Sequence, residues 1–160
     1  MKLKIYPDSA LRQTSTAVSE INSEINNLIE NMIEFMVLHK GIGLAAPQVG
    51  AGLRIIIIQN DKDIISLINP RIVETNGELF DEEGCLSLPG IWLEIGRCQS
   101  TLVQYINQEG NEIQQEFDGL TARIIRHEID HLDGVLIMDY ASTIVKSLIH
   151  QKYATLNGLS

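Results

Sequence analysis

The chain lacks most of what would place it outside an ordinary protein interior. It has no apolar run of about 18 residues, the length a membrane-crossing helix needs, so no span is expected. Its first residues lack the apolar core of a secretory signal, because Met1-Lys2-Leu3-Lys4-Ile5 runs at once into Tyr6-Pro7-Asp8. It has only two cysteines, Cys85 and Cys98, in unlike surroundings, which excludes a disulfide framework. A working thiol is better kept reduced, so a cytoplasmic location is expected. Basic residues are scarce: 12 Lys and Arg stand against 21 Asp and Glu, for a net charge of −9. That balance argues against direct nucleic-acid binding. No linker, repeat or low-complexity tract interrupts the chain, so residues 1–160 are expected to form one domain. The 44% hydrophobic content is enough for its core.

The periodicities that remain point to an α+β fold. From about Ser19 to Leu38 the residues Ile21, Ile25, Leu28, Ile29, Met32, Ile33, Met36 and Val37 recur at helical spacing, with Met32 and Met36 read as core. Leu53 to Gln59 is a short β-branched run after Gly50-Ala51-Gly52. Further strands are expected at Ile64–Ile68, Arg71–Glu74, Trp92–Ile95, Thr101–Ile106 and Ile113–Phe117, with Asn107–Asn111 as a hairpin turn. Asp118 is a candidate N-cap for a helix ending near Gly134. A last helix is expected from about Thr143 to Ala154.

The helix after Asp118 carries the chemistry. His127 and His131 stand four residues apart with Glu128 directly after the first. Residues i and i+4 share a helix face, so both imidazoles can reach one cation, with Glu128 placed to handle a proton of water. Catalytic sites of this kind usually take three protein ligands. Six residues after His131, where one class of metallopeptidase keeps its third ligand, stands Ile137, and no glutamate follows Glu128. The remaining donors are Asp133, Asp139 and His150 downstream, and His39, Cys85 and Cys98 upstream. Cys85 is the better candidate: Gly84 permits a close approach, and Pro89 and Gly90 break regular structure beyond it. Cys98 opens a β-like run and reads as a small buried residue. Leu120, Ile124, His127 and His131 fall on one stripe by their 4, 3, 4 spacing, so an apolar wall leads to the ligands.

A third stretch, Gly41-Ile42-Gly43-Leu44-Ala45-Ala46-Pro47-Gln48, lets backbone pass close to something. It lacks the Lys-Ser/Thr ending of a phosphate loop and follows a helix rather than a strand. Gln48 is its chemical residue, since an amide N–H can meet an oxyanion.

Together these stretches resemble the three signature motifs of the peptide deformylases, G-x-G-L-A-A-P-Q, E-G-C-L-S and H-E-x-D-H-L-x-G. The resemblance runs from Ile5-Tyr6-Pro7-Asp8 and Leu11-Arg12 to Met138-Asp139-Tyr140, nearly the whole chain. It implies a single-domain, metal-dependent hydrolase that removes the formyl group from formylmethionine of newly made proteins and releases formate. It implies one divalent ion on Cys85, His127 and His131, with Fe²⁺ native and Zn²⁺, Ni²⁺ or Co²⁺ as other occupants. By the same resemblance Glu128 is the general base, and the Gln48 amide and the Leu86 backbone N–H meet the oxyanion. Ile42, Gly43, Glu83, Gly84, Leu120, Arg123 and Ile124 surround the substrate. The resemblance also pairs Arg97 with Glu83. The fold it implies is one compact domain with antiparallel or mixed sheets around the central motif helix, and a monomer is expected.

The chain departs from the family at two positions near the site. Arg126 stands where many relatives have glutamine before the first histidine, and Trp92 where the best-known bacterial type often has arginine. Residues 143–160 offer only Lys146, His150 and Lys152 as basic residues, a poor surface for ribosomal phosphate, so ribosome contact is only weakly supported. Two other readings compete: a metallopeptidase, for which the downstream ligand is missing, and a structural metal site, which would need a fourth ligand.

Overall fold

Four consecutive isoleucines, Ile55–Ile58, are all fully buried, and they organise the molecule. The computed structural model describes residues 1–156. A strand turns successive side chains to opposite faces, so an uninterrupted apolar run needs cover on both. That cover is present. Strand β2 (Ile55–Asn60) sends Ile56 and Ile58 into a cluster with Ile125 and Ile129. Ile55 and Ile57 meet Ile29, Met32 and Met36 on the other side. Two helices supply those partners, α1 (Ser23–Leu38) and α2 (Gly119–Leu132).

Around β2 lies a five-stranded antiparallel sheet. Strands β1 (Gly43–Ala45), β2, β3 (Asp63–Asn76), β6 (Ser100–Ile106) and β7 (Glu112–Asp118) follow one another across it. A separate antiparallel ribbon joins β4 (Leu79–Gly84) to β5 (Trp92–Arg97). Every pairing between these strands is antiparallel, so of the expected antiparallel or mixed sheets the antiparallel form is present. The expected turn at Asn107–Asn111 closes β6 on β7: the Gly110 N–H donates to Asn107 O at 3.0 Å, with Gly110 at φ +84°.

Several boundaries differ from expectation for identifiable reasons. Helix α1 begins at Ser23 rather than Ser19, because the Asn22 side chain caps it, accepting from the N–H groups of Glu24 and Ile25 at 3.0 and 3.1 Å. The expected strands 64–68 and 71–74 are one strand, β3, running through Pro70. Its pairing to β6 shifts register between Ile68 and Arg71, an irregularity that accommodates a residue without an N–H. Strands β1 and β4 were not expected. Asp118 occupies the N-cap of α2 but its side chain makes no capping bond. At the other end Gly134, at φ +73°, closes α2 as expected. Its N–H donates to His131 O at 3.2 Å, and the Val135 N–H donates to Asp130 O at 2.8 Å.

A third cluster lies under the last helix, α3 (Thr143–Leu156), where Ile149 and Tyr153 pack with Tyr6, Leu11, Leu88 and Met138. Among the described residues no helix is long and apolar enough to cross a membrane.

Candidate metal centre

Helix α2 positions three of the four chemical side chains. Packing of Ala122, Ile125 and Ile129 against the sheet fixes its rotation, and His127, Glu128 and His131 then lie beside the end of β4. Cys85 follows β4 directly and is held in a turn, its carbonyl accepting from the Leu88 N–H at 3.0 Å. The donor atoms of Cys85, His127 and His131 all lie within 4.8 Å of one another, and Cys85 Sγ is 3.2 Å from His131 Nε2. Donors so placed can share one ion with bonds of about 2.0–2.3 Å. Thiolate and imidazole donors suit zinc and ferrous iron alike.

The other candidate ligands lie elsewhere. Asp133 pairs with Arg54, Asp139 with Arg12, His150 with Tyr6, and His39 stacks on Phe35. Cys98 sits half-buried in the turn between β5 and β6, less enclosed than its sequence context suggests. Three donors therefore converge, leaving room in a four-coordinate site for water or substrate.

Behind the three donors lies a buried charge network. Glu83, 5% exposed, accepts from His127 Nδ1 at 3.1 Å. Arg97 grips the same carboxylate with a fork, Nε to Oε1 at 2.8 Å and Nη2 to Oε2 at 2.9 Å. Arg123 adds a third contact, Nη1 to Oε1 at 2.7 Å, and also donates to the carbonyls of Ile95 and Leu79. Asp130 accepts from Arg97 at 2.5 Å and from the Tyr140 hydroxyl at 2.7 Å. Two cations thus face two carboxylates, which offsets the cost of burying them.

Burial alone would raise the Glu83 carboxyl, but hydrogen bonds from Arg97 and His127 outweigh it and hold it at about 2. An ionised carboxylate only accepts, so His127 Nδ1 carries the proton and Nε2 is the atom left to ligate. Burial lowers His127, yet its bonds to Cys85 and Glu83 prevail and hold it well above the ordinary histidine value. An ion and a proton therefore compete for Nε2. Burial holds His131 well below that value, so it is neutral and ready to ligate.

Glu128 is 3% exposed, and its Oε2 has no hydrogen-bond partner among the described residues. Burial pushes it up to about 7, with His127 opposing and Glu83 reinforcing the shift. A buried carboxylate oxygen without a partner is costly, and one poised near neutrality can take and return a proton. Gln48, 1% exposed, is oriented by its carbonyl oxygen, which accepts from the Ala45 N–H at 2.8 Å. That contact requires an oxygen, so the amide nitrogen faces the site, 3.2 Å from Ser87 Oγ and 3.6 Å from Cys85 Sγ.

Gln48, Glu83, Cys85, Arg123, His127 and Glu128 line a cleft of about 440 Å³. Ile42, Gly43, Gly84, Leu86, Leu120 and Ile124 are among its walls. Ile124 is buried and Leu120, 61% exposed, stands at the rim, so the stripe leads along the cleft from solvent to His127. Trp92 stands exposed at the same rim with its ring over Gly84. Arg126 reaches towards Asp130, 3.7 Å away, and so adds to the network. Sequence reasoning missed Asp130, Tyr140 and Ser87. A signal for the network existed: Arg97 continues the inward alternation of Leu93 and Ile95 along β5, and an inward charge needs a partner.

The chain is similar to known proteins along most of its length. The model of the polypeptide deformylase family matches residues 1–147. The peptide deformylase of Thermodesulfovibrio yellowstonii is 43% identical over 160 residues, covering 97% of each chain. That of Desulforudis audaxviator is 43% identical over 143 residues, or 88% of this chain and 93% of the relative. A crystal structure of a peptide deformylase from Legionella pneumophila superposes with a TM-score of 0.91 at 34% identity, covering 99% of this chain and 95% of that one. The Ehrlichia chaffeensis peptide deformylase in complex with actinonin reaches 0.93 at 33% identity, covering 97% and 96%. Sequence, fold and the matched length agree, and the chain belongs to the polypeptide deformylase family.

Proposed function

We propose that this chain hydrolyses the N-terminal formyl amide of formylmethionyl peptides on Cys85, His127 and His131, with Glu128 as the proton carrier. The activity follows from the family: the protein is a metal-dependent hydrolase that removes the N-terminal formyl group of newly made proteins. The buried Glu128 carboxylate, with Oε2 unpartnered beside the three donors, carries the assignment of roles.

The donor set fits a divalent ion, which when bound polarises the formyl carbonyl and makes water a competent nucleophile near neutral pH. Glu128 takes the proton of the attacking water and returns it to the leaving amine nitrogen. The Gln48 amide N–H and the Leu86 backbone N–H meet the oxyanion, and losing one such donor costs about 2.7–4 kcal/mol of transition-state stabilisation. Glu83 holds His127 in its ligating tautomer. The methionine side chain lies along Ile124 and Leu120, and Ile42, Gly43 and Gly84 flank the peptide. Glu83 and Arg123, which also line the cleft, complete the wall around the substrate.

Iron(II) is the proposed native ion, with Zn²⁺, Ni²⁺ or Co²⁺ able to replace it. The proposed setting is the cytoplasm, where the Cys85 thiol stays reduced, and the proposed enzyme is a monomer. Stable docking on the ribosome through α3 is not part of the proposal, because Lys152 and His150 are already engaged with Gly90 and Tyr6. The deciding experiment is anaerobic purification with metal analysis, followed by formate release from formyl-Met-Ala-Ser against acetyl-Met-Ala-Ser. Formate released with one ion per chain supports the reading. Equal cleavage of both peptides would replace it with a broader amidase.

A further inference from the structure

The loop that runs from Cys85 to β5 forms part of the cleft, and Pro89 and Gly90 line it. Two internal bonds shape the loop: the Leu88 N–H donates to Cys85 O at 3.0 Å and the Ile91 N–H to Leu88 O at 3.2 Å. The carbonyls of Pro89 and Gly90 are held from α3 instead. The Tyr153 hydroxyl donates to Pro89 O at 3.0 Å, and the Lys152 ammonium donates to Gly90 O at 3.1 Å. Tyr153 is buried as a residue, and its bond to the exposed Pro89 is part-buried.

Helix α3 is itself anchored beside the site. The Tyr6 hydroxyl pairs with His150 Nδ1, and the Tyr6 ring meets Tyr153 edge-on with centroids 5.5 Å apart. The Tyr6 N–H donates to Ser87 O at 3.0 Å, and Ser87 Oγ accepts from Gln48 Nε2 at 3.2 Å. Hydrogen bonds thus run from the last helix through the N-terminal segment to the loop and to Gln48. Lys152 and Tyr153 both lie beyond residues 1–147, the part matched by the family model.

We propose that Lys152 and Tyr153 are positioning residues for substrate: they fix the Pro89–Gly90 wall of the cleft, and through it the binding of the peptide. This rests on the function proposed above. Neither side chain supplies a donor to the cluster of Cys85, His127 and His131, so their loss is felt in binding rather than in the chemical step.

The test uses the full chain carrying its ion. Lys152→Met and Tyr153→Phe keep apolar bulk and remove only the hydrogen-bonding heads. The double variant is expected to raise KM for formyl-Met-Ala-Ser by about fivefold or more, with kcat and bound metal within about twofold of the parent. Each single variant is expected to show about threefold, so the test stands even where the pair does not fold. Lys152→Arg keeps a donor and should retain the parental KM. The chain's one tryptophan, Trp92, stands on the same rim and gives a second readout. Binding of the product peptide Met-Ala-Ser, followed by Trp92 emission, should weaken by the same factor.

A KM within about twofold of the parent for the double variant, or about 1.5-fold for both singles, overturns the proposal. So does a joint fall of kcat and metal content at unchanged KM, which would make α3 a prop for the fold alone. A parent that leaves formyl-Met-Ala-Ser intact would instead refute the proposed function, and the product titration, which needs no turnover, would still decide the role of α3.

Discussion

Glu128 lies so close to the backbone of Gly43 that a Cβ at Gly43 would run into Glu128 Oε1 and stand 2.7 Å from Ile124 Cγ2. The glycine is required by this approach and not by its dihedrals, since its φ is not positive. Gly43→Ala should therefore fold and keep its metal while pushing the carboxylate aside. A displacement on the ångström scale costs about 10²-fold in rate. Steady-state kinetics with metal analysis would show it, and a variant of parental kcat would mean that Glu128 does not work from this position.

Glu128→Gln removes the proposed proton carrier without changing shape. The expected outcome is retained metal and melting temperature with kcat lowered by about 10²–10⁴-fold or more, because an amide cannot accept the proton of water. Turnover within about threefold of the parent would remove Glu128 from the mechanism.

Ligation makes a sharper division. Cys85→Ala, His127→Ala and His131→Ala should each lose the ion, whereas Cys98→Ser should hold one ion per chain, because only the first three donors converge. Plasma emission spectrometry on anaerobically purified protein measures this directly. Full occupancy in Cys85→Ala would sink the assignment.

How much of this was readable beforehand depends on how local each feature is. His127, Glu128 and His131 lie on one turn of helix, so their spacing alone reveals them. Cys85 is 42 positions upstream of His127 and was reached by eliminating the other donors and by family resemblance. The four isoleucines of β2 announce a doubly covered strand by composition. Strand β4 could not be read, because Asp81-Glu82-Glu83 has low strand preference and is held by pairing with β5. Three-residue β1 carries too little periodicity to separate from a loop. The contact of Tyr140 with Asp130 and Arg97 joins β5, α2 and the turn after α2, and no spacing rule connects those three segments.

That network makes its own prediction. Arg97→Met leaves Glu83 and Asp130 buried with fewer donors, and breaking a buried pair from one side costs about 3–5 kcal/mol. Urea unfolding at neutral pH measures it. The sign with pH follows from Glu83, held at about 2 against an ordinary value of 4.5. Its stabilisation is fully present above about 4.5 and is lost as pH falls towards 2. The variant should thus lose much of the parent's acid sensitivity in that window. An unfolding midpoint equal to the parent's at pH 7 would show that the network contributes nothing to stability.

Leu120 offers a test of substrate recognition apart from folding. It is 61% exposed yet lines the cleft, so Leu120→Ala should change stability by no more than about 0.5 kcal/mol. The methionine side chain of the substrate loses an apolar neighbour, worth about 1–3 kcal/mol in kcat/KM. Formyl-Gly-Ala-Ser has no side chain to lose that contact and should be cleaved by parent and variant alike. The informative quantity is the ratio of the two substrates' kcat/KM values, which cancels any general damage to the site. Ile124→Ala should lower the same ratio, but it also opens a cavity beneath the helix and costs about 2–5 kcal/mol of stability. A ratio unchanged in Leu120→Ala would move the methionine side chain off this stripe.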